Sequence, residues 1–172
     1  MQRILFRYKT CLLVIVAGLF FLKGECQLKL NLSTNEAALK VTVRQELQLG
    51  AFTQGSSGGS ISVSPQDIRS ASGTVIPLNF GSNYHALVLE IEGAKGAIVS
   101  MIAGETIVLT GSNGGTMRLL IKGTSPLMPF VINEDAPAKS VIKIGAELIA
   151  GNSIESPPGN YSGSLNISFI VE

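Results

Sequence analysis

The chain of 172 residues has no tryptophan, one histidine and two cysteines. The lone His85, in Tyr84-His85-Ala86, opens an apolar run, and as a catalytic base it would need a nucleophile and an orienting acid. No G-x-S-x-G elbow is present to supply the nucleophile. With one histidine and cysteines only at Cys11 and Cys26, a zinc site lacks ligands. Asn133-Glu134-Asp135 carries hard oxygen donors but not the spaced acidic loop of a calcium site, so it reads as a solvated turn. The glycine-rich stretches GSSGGS (55–60) and GSNGG (111–115) lack the following Lys-[Ser/Thr] of a phosphate loop. Charged residues make up 15% of the chain and form no basic stripe, which argues against nucleic acid as a partner. No cofactor is expected.

What is present begins with a positive segment, Arg3, Arg7 and Lys9, followed by a short apolar run from Thr10 to Leu22 and small residues at Gly24 and Cys26. This is the pattern of a secretory signal peptide over residues 1–26, cut before Gln27. The apolar run is shorter than the roughly 20 residues of a typical membrane span, so no transmembrane segment is expected after cleavage. A lipidated Cys26 is the rival. It is disfavoured because Lys23 and Glu25 place charge where a lipobox wants apolar or small residues. Removing Arg3, Arg7, Lys9, Lys23 and Glu25 takes the 13 basic and 12 acidic residues to nine and eleven, a net charge of about −2. Both cysteines leave as well, so the exported chain would hold itself together by core packing without disulfides.

Beyond Gln27 the dominant signal is a period of two, separated by Gly and Pro. Leu28, Leu30 and Leu32 alternate with Lys29 and Asn31, and Leu39, Val41 and Val43 with Lys40, Thr42 and Arg44. Ile61 and Val63 precede Pro65. Residues 73–78 form another candidate strand. Ala86 and Val88, with Glu90, face one way and Leu87, Leu89 and Ile91 the other, which predicts a strand covered on both sides. Ile98–Ile102 and Thr106–Thr110 flank Ala-Gly-Glu, expected to be a tight turn. GSNGG joins Thr106–Thr110 to Thr116–Lys122 as a hairpin. Ser140–Ala150 predicts a strand bent at Gly145. The terminal PPGNYSGSLNISFIVE is the cleanest strand, with Tyr161, Leu165, Ile167, Phe169 and Val171 on its core face. No stretch sustains a helical period. Short strands at this spacing predict an all-β, immunoglobulin-like sandwich in a single domain, residues 38–172. Without Trp or a disulfide, descent from antibody domains is not supported.

Several pieces in order carry a resemblance: Leu47-x-Leu49-Gly50-x-Phe52; Gly58-Gly59-Ser60-x-Ser62-Val63-Ser64-Pro65 with Arg69; Gly114-Gly115-Thr116-Met117; Ile144-Gly145-Ala146-Glu147-Leu148; and Pro158-Gly159-Asn160-Tyr161-Ser162-Gly163. Together they resemble bacterial domain-of-unknown-function family 4402, secreted β-domains similar to spore-coat-U and fimbrial-subunit-like proteins. Leu49 stands where an aromatic is usual, and the cysteines of the spore-coat relatives are missing. The resemblance implies an exported, non-enzymatic domain at the periplasm or cell surface of a Gram-negative bacterium. It transfers no catalytic residue.

Residues 27–37 lie outside that resemblance. Their Leu28, Leu30 and Leu32 offer three apolar side chains on one face, as a first strand of the same domain or as a donor to another subunit by β-strand addition. The expected partners are further copies or other envelope subunits. Two alternatives predict different sites. A carbohydrate- or ligand-binding module would show an aromatic patch near Tyr84 or Phe130, and an enzyme would join His85 to Asp67 or Asp135.

Overall fold

The computed structural model describes residues 26–34, 39–79, 84–104 and 106–171. The expected signal segment up to Glu25 lies outside them. In chain order the strands are β1 (Cys26–Thr34), β2 (Lys40–Gln45), β3 (Phe52–Thr53), β4 (Gly59–Val63), β5 (Arg69–Gly73), β6 (Ile76–Pro77), β7 (Leu87–Glu92), β8 (Ile98–Ala103), β9 (Ile107–Gly111), β10 (Thr116–Ser125), β11 (Phe130–Val131), β12 (Ser140–Ala150) and β13 (Tyr161–Val171). Among the described residues there is no helix, and eleven of the strands join one hydrogen-bonded sheet. The fold is the expected all-β sandwich.

Long strands let this sheet turn around a single core. Ser140–Ile144 of β12 pair with β7, and Ala146–Ala150 pair with β4, while the other edge of β12 follows β10. Gly145 sits where β12 changes partner. A side chain there would lie 2.7 Å from the Pro65 ring and 2.8 Å from the Val63 carbonyl, so only glycine lets the β4–β5 turn pack that closely. The inward residues of β4, β7, β9, β10, β12 and β13 converge on one cluster, with Ile61, Leu89, Leu109, Leu119, Ile144 and Phe169 fully buried. The strand at 87–91 is covered on both faces: Leu87, Val88, Leu89 and Ile91 are all buried.

Glu105 of Ala-Gly-Glu lies outside the described residues, but β8 and β9 on either side do not pair with each other as a tight turn would have them. β8 and β9 run in the same direction along one edge of β13, β8 against Ile167–Val171 and β9 against Tyr161–Ser162. Seven steps separate Ala103 from Thr110, but five separate their partners Ile167 and Ser162. β9 therefore resumes the same edge two residues out of step with β8, and β13, eleven residues long, is long enough to hold both. Residues 73–78 also depart from expectation. Only Ile76–Pro77 form a strand, paired with β3, while the strand before them is β5, Arg69–Gly73. The Ser and Ala of β5 carry no apolar alternation because the strand is an exposed edge. Phe130–Val131, within the irregular stretch at 126–137, pair with β8.

Candidate functional site

The two long edges of the sheet are treated differently. β2 is bonded on one side only, to β7. Its outward face carries Lys40 at 3.2 Å from Glu92 and Arg44 at 3.3 Å from Glu90, with Lys139 at 2.8 Å from Glu90. Charges of this kind discourage a second strand from adding to an edge. The edge of β13 opposite β8 and β9 is filled instead by β1.

β1 pairs with β13 in parallel over nine positions, from Cys26 opposite Tyr161 to Thr34 opposite Phe169. It is the one parallel pairing between strands in an otherwise antiparallel described sheet, and parallel ladders are slightly less stable per residue. Leu28, Leu30 and Leu32 are half-buried and pack against the core, opposite Gly163, Leu165 and Ile167, while Lys29 and Asn31 face outward. On β13, Tyr161, Leu165, Ile167 and Phe169 are buried and Val171 is half-buried against the core. β1 begins at Cys26, one residue ahead of the expected cleavage point. Without β1, nine main-chain positions of β13 and the rim of the core would face solvent.

The start of β13 is fixed by a knot the sequence reading missed. Ser156, 1% exposed, donates from Oγ to the Thr116 carbonyl at 2.7 Å and accepts from the Gly151 N–H at 3.0 Å, while Gln54 Nε2 donates to its carbonyl. The Thr116 N–H donates to the Glu155 carbonyl at 3.1 Å. Tyr161 donates from its hydroxyl to the Pro157 carbonyl at 2.6 Å, and its ring lies against Gly111, where a side chain would be 2.9 Å away. Burial holds the Tyr161 phenol above its ordinary pKa. A buried serine inside a Pro/Gly-rich loop gives no periodic signal, which is why pattern reading passes over it.

The quoted motif pieces also meet in space. Arg69 lies flat on Gly50, 3.2 Å from where a side chain would begin, and donates to the Ala51 carbonyl at 2.5 Å and the Leu78 carbonyl at 3.4 Å. Its guanidinium sits 5.3 Å above the Tyr84 ring. Tyr84 is thus engaged by Arg69, and Phe130 is half-buried against the core. An open depression of about 380 Å³ is lined by Ser62, Ser64, Gln66, Ser70, Lys122 and Glu147, and contains neither aromatic.

Asp67, at the β4–β5 turn, has φ of 60°. One carboxylate oxygen accepts from the Ala86 N–H at 2.8 Å and the other from Lys143 Nζ at 2.8 Å. Both oxygens are therefore committed. Asp135 accepts from the Lys95 N–H at 2.8 Å. His85 is bridged through its main chain to Gln48, and its Nδ1 has no hydrogen-bond partner among the described residues. No carboxylate hydrogen-bonds to and orients it there.

The bonds from Lys143 and Ala86 hold the Asp67 carboxyl below its ordinary pKa of 3.8. The folded state therefore binds this proton less readily than the unfolded chain. The resulting stability is present above about pH 4 and fades as pH falls through the lowered value. Asp67→Ala is expected to lose roughly 1–3 kcal/mol, since alanine sits poorly at positive φ and leaves Ala86 N–H unpaired. Asp67→Asn tolerates that conformation and keeps an acceptor, so it should lose less and show a flatter acid limb. Denaturant titrations between pH 3 and 7 check both.

No curated protein and no solved structure matches the chain. Residues 39–170 match a family model, from Leu39 just before β2 to Ile170 near the end of β13, so β1 lies outside the matched span. The likeness to spore-coat-U and fimbrial subunits rests on the sequence motifs alone. On that match, the chain belongs to the family described as Domain of unknown function (DUF4402).

Proposed function

We propose that the chain is an exported, non-enzymatic β-domain with a structural role, a subunit of a fimbria- or coat-like assembly at the envelope of a Gram-negative bacterium. Its copies join by strand addition at the β13 edge. The supporting observation is that β1 covers this edge yet lies outside the matched family span, residues 39–170. The strand that completes the sheet thus lies outside the part of the chain that defines the family.

Transfer of β1 from its own β13 to that of a second copy conserves the main-chain hydrogen bonds and the burial of Leu28, Leu30 and Leu32. The balance between closed monomer and linked copies then depends on concentration and on the strain of the link between β1 and β2. One strand given and one edge filled is a heterologous contact, which propagates into an open chain when it does not close into a ring. The charged face of β2 disfavours addition there, whereas the β13 edge already takes a strand.

The test mixes an isotopically labelled chain beginning at Gln27 with an unlabelled chain beginning at Thr34, read by native mass spectrometry. A heterodimer is expected, and it should vanish when the labelled chain carries Leu30→Asp and Leu32→Asp. A truncated chain that stays alone, while still binding a synthetic β1 peptide, would refute exchange between subunits.

A further inference from the structure

An alternating strand has a register problem of its own. A slip of one residue turns the apolar face outward and is strongly disfavoured, but a slip of two keeps every face in place. The inward residues of β1 whose side chains are described, Leu28, Leu30 and Leu32, are identical, so by themselves they do not distinguish such slips. The outward face of β13 reads Ser162, Ser164, Asn166, Ser168, a uniform ladder broken once. At that break Asn31 of β1 stands opposite Asn166, and its Nδ2 donates to Asn166 Oδ1 at 2.9 Å. A two-residue slip in either direction would set Asn31 against Ser164 or Ser168, which have shorter reach and lack the matched amide donor and acceptor.

We infer that the Asn31–Asn166 pair is the register key of the β13 edge, the contact that selects one alignment of β1 among those its leucines allow. The key also has a property that bears on the occupant. Around Asn31 the strand is nearly symmetric, with Leu30 and Leu32 on either side, then Lys29 and Ser33. Laid antiparallel with Asn31 still opposite Asn166, it sets Leu30 against Ile167, Leu32 against Leu165 and Leu28 against Phe169, again facing the core. A β1 strand from a second copy therefore fits the same edge in the reverse direction with the same key. This last step rests on the assembly proposed above; the key itself does not.

Directly opposed residues on neighbouring strands fall within disulfide range, whereas those displaced by two positions lie beyond about 7 Å. Cysteine pairs therefore report register in the full chain with Cys11 and Cys26 replaced by serine. Lys29→Cys with Ser164→Cys reads the alignment seen here. Lys29→Cys with Ser162→Cys, and Ser33→Cys with Ile170→Cys, read the two slips. The aligned pair should crosslink and the slipped pairs stay near background. Asn166→Ser or Asn31→Ser, each checked by thermal melting for an intact fold, should raise a slipped crosslink about two- to five-fold. Slipped pairs that stay at background in both serine variants would overturn the key. Lys29→Cys with Ser168→Cys, opposed only in the reverse alignment, should crosslink between copies and be lost in the same variants. If that dimer never forms while the slipped pairs respond as expected, the key stands and the reversed occupant falls; the assembly falls if the aligned Lys29→Cys with Ser164→Cys pair also never links two copies.

Discussion

A chain beginning at Thr34 is expected to be less stable than one beginning at Gln27 by about 3–5 kcal/mol. Each of Leu28, Leu30 and Leu32 is half-buried against the core, and full burial of a leucine contributes roughly 1.5–3 kcal/mol. Their loss also uncovers the β13 edge beside Leu165, Ile167 and Phe169. Against a total stability of about 5–15 kcal/mol, this is enough to leave the truncated domain partly unfolded or aggregating. A synthetic QLKLNLSTN peptide added in trans should restore the denaturation midpoint, and a peptide with aspartate at the three leucine positions should not. An unchanged midpoint on truncation would mean that β1 contributes nothing to the domain.

Phe169→Ala should be the most damaging single truncation in the terminal strand. Phe169 is fully buried, opposite Met101 of β8 and Thr34 of β1. Removing a buried phenylalanine typically loses about 3–5 kcal/mol through lost transfer energy and the cavity left behind. In a domain of this size that lowers the melting temperature by on the order of 10 °C. Val171→Ala, on the same face but half-buried, should lower it by a few degrees at most. Calorimetry of the two variants measures the contrast, and equal effects would contradict the assignment of Phe169 to the core.

Much of this fold was legible because burial and period agree. β13 alternates cleanly since one face meets the core and the other meets water. The strand at 87–91 is apolar at every position but Glu90 because it is covered on both faces. Legibility failed where burial did not alternate. β5 is an exposed edge of small residues. Ala-Gly-Glu looks like a turn, yet β8 and β9 lie end to end, because the strand that holds both is β13, more than fifty residues away. For the site, Leu28, Leu30 and Leu32 were visible as an apolar face, but neither their partner nor the parallel direction of pairing was. Asn31 and Asn166 stand among the polar residues of two alternating strands, and nothing in the sequence pairs them. Only the register of β1 on β13 brings them together.

The proposed assembly requires that the β13 edge accept β1 from another copy. Light scattering of the chain from Gln27 to Glu172 over a wide range of concentrations tests it most directly, with the chain from Thr34 measured alongside. Strand exchange predicts a mass that grows with concentration for the longer chain, and no such ordered growth for the shorter one. A longer chain that remains monomeric at every concentration would contradict it, and β1 would then be the first strand of a closed, self-sufficient domain.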